Sequence, residues 1–195
     1  MVRRLFYWPL SALMFNLVKF DAVQNDILNL KIIAVLLVII ISNSGVNAQN
    51  VVVNYIQKYQ HIAKPLSDSF GVPVDLIIAI AIVESAAGTS RNSIVLNNHF
   101  GLKAGNKLRT VNGIKTRFRY YQNDTLSYLD FCTYLSKRKF YAQLKGNFDY
   151  NAWLNAMAKS GYSAKPIPWK TKIISYIKKH NLTALNGINA TTKQP

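Results

Sequence analysis

At 195 residues the chain has room for one domain and a targeting segment, and too little for two full domains. Half of it is hydrophobic and 12% aromatic, which excludes general disorder. A formal net charge of +16, from 24 Lys and Arg against 8 Asp and Glu, points to an anionic partner, although no recognised DNA-binding motif is present and nucleic acid is not expected.

The first readable element is an apolar run, residues 32–42, preceded by Lys31 and followed by small and polar residues ending Val46-Asn47-Ala48. A basic flank, an apolar stretch of about 7–15 residues and a small-x-small ending describe a secretory signal cleaved after Ala48. Thirty residues precede the run, long for such a signal, so residues 1–48 are read as a signal peptide or a signal anchor. Either reading exports the protein to the periplasm, cell envelope or extracellular space. Retention would leave it anchored to the membrane through residues 32–42.

Residues 49–185 form the expected domain. A first helix is predicted over Tyr55–Ser69, where Ile56, Tyr59, Ile62, Ala63 and Leu66 recur at helical spacing. Pro65 is expected to kink it and Gly71 to close it. Pro73 can open the next helix, with Asp75 in its first turn. Val74–Val83 is otherwise apolar on every face, so this helix belongs at the centre of the domain. It ends in Glu84-Ser85-Ala86-Ala87-Gly88.

A short helix near Ser90–Leu96 and the loop Asn97-Asn98-His99-Phe100-Gly101 come next. Short strands around a turn at Asn112-Gly113 follow. Three more helices are predicted: Thr125–Leu135 capped by Asp124 or Thr125, Tyr150–Lys159 capped by Asp149, and Lys170–His180. Residues 186–195 are read as a flexible tail. The fold class is therefore α+β, mostly α, with one small β lobe.

Cys132 is the lone cysteine and is read as a small buried hydrophobe. His61, His99 and His180 are scattered, and no metal-ligand spacing occurs, so neither metal nor cofactor is expected; the chain is read as a monomer. The acids are more informative, being seven aspartates and a single glutamate, Glu84. At the end of a buried apolar helix, a carboxyl group loses solvation and its pKa rises. A raised pKa suits a general acid that protonates a glycosidic oxygen.

The stretch Ile82-Val83-Glu84-Ser85-Ala86-Ala87-Gly88-Thr89-Ser90, followed by Asn97-Asn98-His99-Phe100-Gly101-Leu102-Lys103, resembles the signature of bacterial peptidoglycan endo-β-N-acetylglucosaminidases. These are glycoside hydrolases that include autolysins and a flagellar wall hydrolase. Further matches are Phe118-Arg119-Tyr120-Tyr121, Ser127-Tyr128-Leu129-Asp130, Asp149-Tyr150-Asn151-Ala152-Trp153 and Ser160-Gly161-Tyr162-Ser163-Ala164-Lys165-Pro166. They run in order from about Tyr55 to Leu182. The resemblance implies a lysozyme-like fold with a cleft between helical and β lobes, and peptidoglycan as partner. It implies Glu84 as the catalytic acid with Tyr162 beside it, and Asn98, Phe100 and Tyr121 as substrate-binding residues.

The chain departs from that pattern in the β lobe. Where such enzymes often carry a glutamate just before Phe-Arg-x-Tyr, this chain has Thr116, and no acid occurs from Gly101 to Tyr121. Asp124 is the nearest later candidate for a second carboxylate, though a helix cap is its simpler role; Asp130 is read as structural. Two mechanisms remain. The substrate's own acetamido group attacks the anomeric carbon, or water attacks with polar help from Tyr162 and its neighbours. The competing readings are a wall-binding domain that keeps the cleft without cutting, and a membrane-anchored structural protein.

Overall fold

The computed structural model describes Lys31 and residues 50–190, with side chains through residue 187. The expected signal segment, Lys31 apart, and residues 191–195 lie outside the described part.

Helix α1 covers residues 50–70 and runs through Pro65 without interruption. Val52, Tyr55, Tyr59 and Ala63 are its buried stripe. Gly71 ends it at φ +64, its N–H donating to Ser67 O at 2.7 Å. A Cβ there would also lie 2.7 Å from the Gly146 nitrogen, so glycine is required twice over.

Helix α2, Val74–Ser85, is enclosed on every side, as its uniformly apolar sequence predicts; Leu76 through Ile82 are all at most 1% exposed. Helix α7, Pro166–Lys179, and a 3-10 segment, Leu182–Ala190, pack against it. That segment takes in the first residues of the expected tail. Asn186 is buried, and its Oδ1 accepts from Val74 N at 2.8 Å and Asp75 N at 3.4 Å. Pro73 has no side-chain oxygen with which to cap α2, so the chain's far end supplies one.

Helix α3 is Arg91–Leu96, capped by Ser90, whose hydroxyl accepts from Ser93 N. Strands β1, Arg109–Val111, and β2, Ile114–Thr116, pair antiparallel around Asn112-Gly113, with Arg109 opposite Thr116. Both turn residues have positive φ, as a two-residue hairpin turn requires. The ladder extends through a bridge between Lys103 and Phe118 and the bond Arg119 N to Leu102 O at 2.8 Å.

Helices α4 (Asp124–Ser136), α5 (Tyr141–Leu144) and α6 (Tyr150–Lys159) complete the helical lobe. Asp149 caps α6 by accepting from Asn151 N at 2.9 Å. The cap of α4 is Asn123, not Asp124 or Thr125; its Oδ1 accepts from Leu126 N at 3.0 Å, while Asp124 is engaged elsewhere. Helix α7 begins a turn earlier than predicted, because the fixed φ of Pro166 suits a first helical turn. That brings Trp169 into the helix. Cys132 is buried, and burial pushes its thiol pKa up to about 12, so it packs as an inert apolar group.

Candidate active site

Glu84 is delivered by the last turn of α2, which stops abruptly. Ala86 (φ 51), Ala87 (φ 51) and Gly88 (φ 80) form a left-handed run. Non-glycine residues in that region are strained by about 1–3 kcal/mol each. The turn is tied down by Ala87 N to Ile82 O at 2.8 Å and Gly88 N to Ser85 Oγ at 2.8 Å.

The Glu84 side chain is half-buried, and its Oε1 accepts from Trp169 Nε1 at 2.8 Å. Burial raises its pKa, against opposing effects from the Trp169 hydrogen bond and the Lys172 charge. An indole N–H can only donate. When Glu84 is protonated, its proton therefore sits on Oε2. That oxygen points toward Gly101, where an added Cβ would lie 3.6 Å away. With φ +63 and no side chain, Gly101 leaves the proton-bearing oxygen uncovered.

Glu84 lines an open cleft of about 480 Å³ with Phe100–Lys103, Phe118 and Arg119 on one side and Tyr134 and Tyr162–Ala164 on the other. Among the lining residues Glu84 is the only carboxylate, and Lys103 and Arg119 are cations. Tyr162 lines the cleft together with Glu84. Its ring lies 5.2 Å from that of Trp169, and its hydroxyl donates to Phe100 O at 3.3 Å. Burial first, then the nearby Glu84 charge, raises its pKa well above the ordinary phenol value, so it remains a donor at neutral pH.

The other expected site residues fare differently. Phe100 lines the cleft floor, yet it is almost wholly buried, stacked on Phe131 at 4.0 Å. Asn98 faces inward, at 1% exposure. Its amide donates to Leu102 O and Arg119 O, each at 2.9 Å, and accepts from Leu102 N at 3.2 Å. It braces the β lobe to the helical lobe and has no donor left for a glycan. Tyr121 is also buried; its hydroxyl donates to Asp130 Oδ2 at 2.6 Å, and the same oxygen accepts from Arg119. Neither Asn98 nor Tyr121 lines the cleft.

Asp124 does not line it either. It accepts from His99 Nε2 at 3.0 Å and from Tyr59 at 2.8 Å, with Lys58 at 3.6 Å. Burial alone would raise its pKa, but the His99 and Tyr59 hydrogen bonds outweigh this and hold it below the ordinary value. Burial keeps His99 neutral despite Asp124, so Nε2 donates and Nδ1 accepts from Tyr55 at 2.7 Å. Tyr55 in turn meets Tyr128 at 2.9 Å. His99 thus anchors the Asn-Asn-His-Phe-Gly loop to α1 and α4, a role that its isolation in sequence concealed. Among the described residues no group of three His, Cys, Asp or Glu side chains is placed to hold a metal ion.

A family model described as mannosyl-glycoprotein endo-β-N-acetylglucosaminidase matches residues 60–182. The chain belongs to this family. It is a glycoside hydrolase domain, and its α+β architecture is the family's lysozyme-like fold. No curated protein matches the chain. Among solved structures, the catalytic domain of the autolysin Auto from Listeria monocytogenes is 18% identical with a TM-score of 0.57, covering 69% of this chain and 87% of that one. A peptidoglycan hydrolase from Sphingomonas sp. A1 is 24% identical with a TM-score of 0.54, covering 73% and 97%. A type VI secretion effector–immunity complex from Pseudomonas protegens contains a chain 24% identical with a TM-score of 0.51, covering 69% and 94%.

Two features of the site have no counterpart in the sequence reading: Trp169 as the partner of Glu84, and the cations Lys103 and Arg119 in the cleft lining. The signal for the first was available, since Pro166 and Pro168 mark a helix start that places the following tryptophan in the first turn.

Proposed function

We propose that the protein is an exported hydrolase that cleaves the glycan strands of peptidoglycan after N-acetylglucosamine, with Glu84 as general acid. The observation that carries this reading is the clamped carboxyl of Glu84, with one oxygen tied to Trp169 and the other open to the cleft. Family membership and the peptidoglycan hydrolases among its structural neighbours support the substrate. The apolar run before Ala48 supports export.

With no second carboxylate among the described residues that line the cleft, the substrate supplies the nucleophile. The carbonyl oxygen of the N-acetyl group attacks the anomeric carbon as the bond to the leaving sugar breaks. Glu84 Oε2 passes its proton to the leaving oxygen. Water then attacks the same carbon, reopens the ring so formed, and returns a proton to Glu84, giving net retention. Tyr162 and the backbone near Phe100 supply polar contacts.

The test is digestion of purified peptidoglycan by the full chain, with Glu84→Gln as control and products read by mass spectrometry. New reducing N-acetylglucosamine ends that the variant does not make are expected. One observation favours a second reading, a domain that binds the wall without cutting: the position matching the family's β-lobe glutamate is Thr116. Wild-type protein that sediments with peptidoglycan but releases no ends would establish that reading.

A further inference from the structure

Beside the Glu84 cleft, and sharing Asn92, Lys103 and Phe118 with it, a second groove of about 290 Å³ runs along the β hairpin. Arg91, Lys103, Lys115 and Arg117 line it, no acid does, and all four side chains are exposed. None of them pairs with a described carboxylate. Leu108, 61% exposed, and half-buried Ile114 add apolar surface between the charges. Thr116 lies on this groove and not on the Glu84 cleft.

Four like charges gathered on a small lobe repel one another and favour an anionic occupant that offsets them. The chemistry in the adjoining cleft limits which anion this is. In a peptidoglycan strand cut after N-acetylglucosamine, the leaving sugar carries its lactyl-linked peptide on the carbon next to the leaving oxygen. That peptide must exit the cleft within one sugar of Glu84. It bears free carboxylates and short alkyl side chains, which match the cations and the exposed Leu108 and Ile114. We infer that the β-hairpin groove is a subsite for the carboxylate-bearing stem peptide of the sugar on the leaving side. This inference rests on the glucosaminidase reading of the cleft. It also gives the Thr116 position a role: an acid there would stand among the cations that receive the peptide.

Binding to the full-length Glu84→Gln protein separates the two claims, because it needs no turnover. The probes are purified glycan fragments with intact stem peptides, the same fragments with the peptide carboxylates amidated, and fragments stripped of peptide by an amidase. Intact fragments are expected to bind about tenfold more tightly than the other two, as two or more partly exposed ion pairs would give. That preference is expected to shrink as salt is raised. The double substitution Lys115→Gln/Arg117→Gln, at exposed positions where folding is not at stake, is expected to reduce the preference about fivefold. Equal binding of all three probes, or a preference that survives the double substitution and high salt, would overturn the subsite. Failure of the wild type to release reducing N-acetylglucosamine ends would instead overturn the reading of the cleft.

Discussion

Helix α2 and the segments that flank the β hairpin, Phe100–Lys103 and Phe118–Arg119, line one cleft and are built on opposite terms. Helix α2 is apolar and enclosed, and its single glutamate is stripped of much of its water and held by one indole. The hairpin side is largely exposed, carries no acid between Gly101 and Tyr121, and presents to the cleft an exposed Lys103 beside Arg119, which Asp130 holds. Desolvation can tune a proton donor only where packing is rigid, and long cations can adapt to a polymeric anion only where packing is loose. On the proposed function, chemistry falls to the helical lobe and substrate attraction to the β lobe.

Removing the acid is the strongest way to break that division. Glu84→Gln is expected to reduce kcat about 10²–10⁴-fold while wall binding persists, measured by product release and by sedimentation with peptidoglycan. A variant that still cuts would move the chemistry out of α2. Next in size is the Asn98 brace between the lobes. Asn98→Ala leaves Arg119 O and Leu102 N without partners and removes one of the two bonds to Leu102 O, and is expected to lower unfolding stability by about 2–4 kcal/mol in urea titrations. A raised KM with unchanged stability would restore Asn98 as a glycan contact.

The enclosed lobe was the more legible of the two. Val74–Val83 is apolar on all faces and admits only a central position, so Glu84 followed at its end. Asn112-Gly113 marked the hairpin because both residues tolerate positive φ. Orientation was not legible. The motif residues Asn98 and Tyr121 recur for packing reasons as readily as for binding, and spacing does not say which way a side chain points. His99, Tyr55 and Asp124 meet only in space, so their network had no local signal. Asn186 sits in a stretch whose composition suggests a loose tail, and its value is fixed by Pro73, distant in sequence, which cannot cap its own helix.

Trp169 sharpens the account of the helical lobe. In Trp169→Phe the ring is kept and the hydrogen bond to Glu84 Oε1 is lost. The proton is then no longer confined to Oε2, and kcat is expected to fall about tenfold, a hydrogen bond's worth to a charged group. That bond favours the ionised carboxylate, so its loss raises the Glu84 pKa further. In the proposed mechanism Glu84 must be protonated to act, so the alkaline limb of the pH–rate profile is expected to move to higher pH. A limb that stays in place would show that the indole does not set the proton affinity of Glu84.

The last expected effect, read only as a difference across pH, concerns the other end of α2, where burial acts on a second acid with a different outcome. Asp75 is fully buried; its Oδ1 accepts from Leu76 N at 2.7 Å and its Oδ2 has no partner. Burial raises its pKa from 3.8 to about 6, against the hydrogen bond from Leu76 N and the nearby Asn186 amide, which lower it. The folded state therefore binds this proton more tightly than the unfolded chain. Its contribution to stability is fully present below about pH 4, declines as pH rises through about 6, and is on the order of 3 kcal/mol at most. Asp75→Asn keeps the acceptor for Leu76 N and cannot ionise. Its amide leaves a donor where Oδ2 has no partner, so the variant starts less stable in acid. The informative quantity is the difference in unfolding free energy between the two proteins across pH 4–7, which cancels the opposite dependence contributed by Asp124. That difference is expected to change in favour of the variant as pH rises, and to level off above about pH 6. A difference flat with pH would mean that Asp75 is solvated enough to ionise freely, and that enclosure of α2 tunes Glu84 alone.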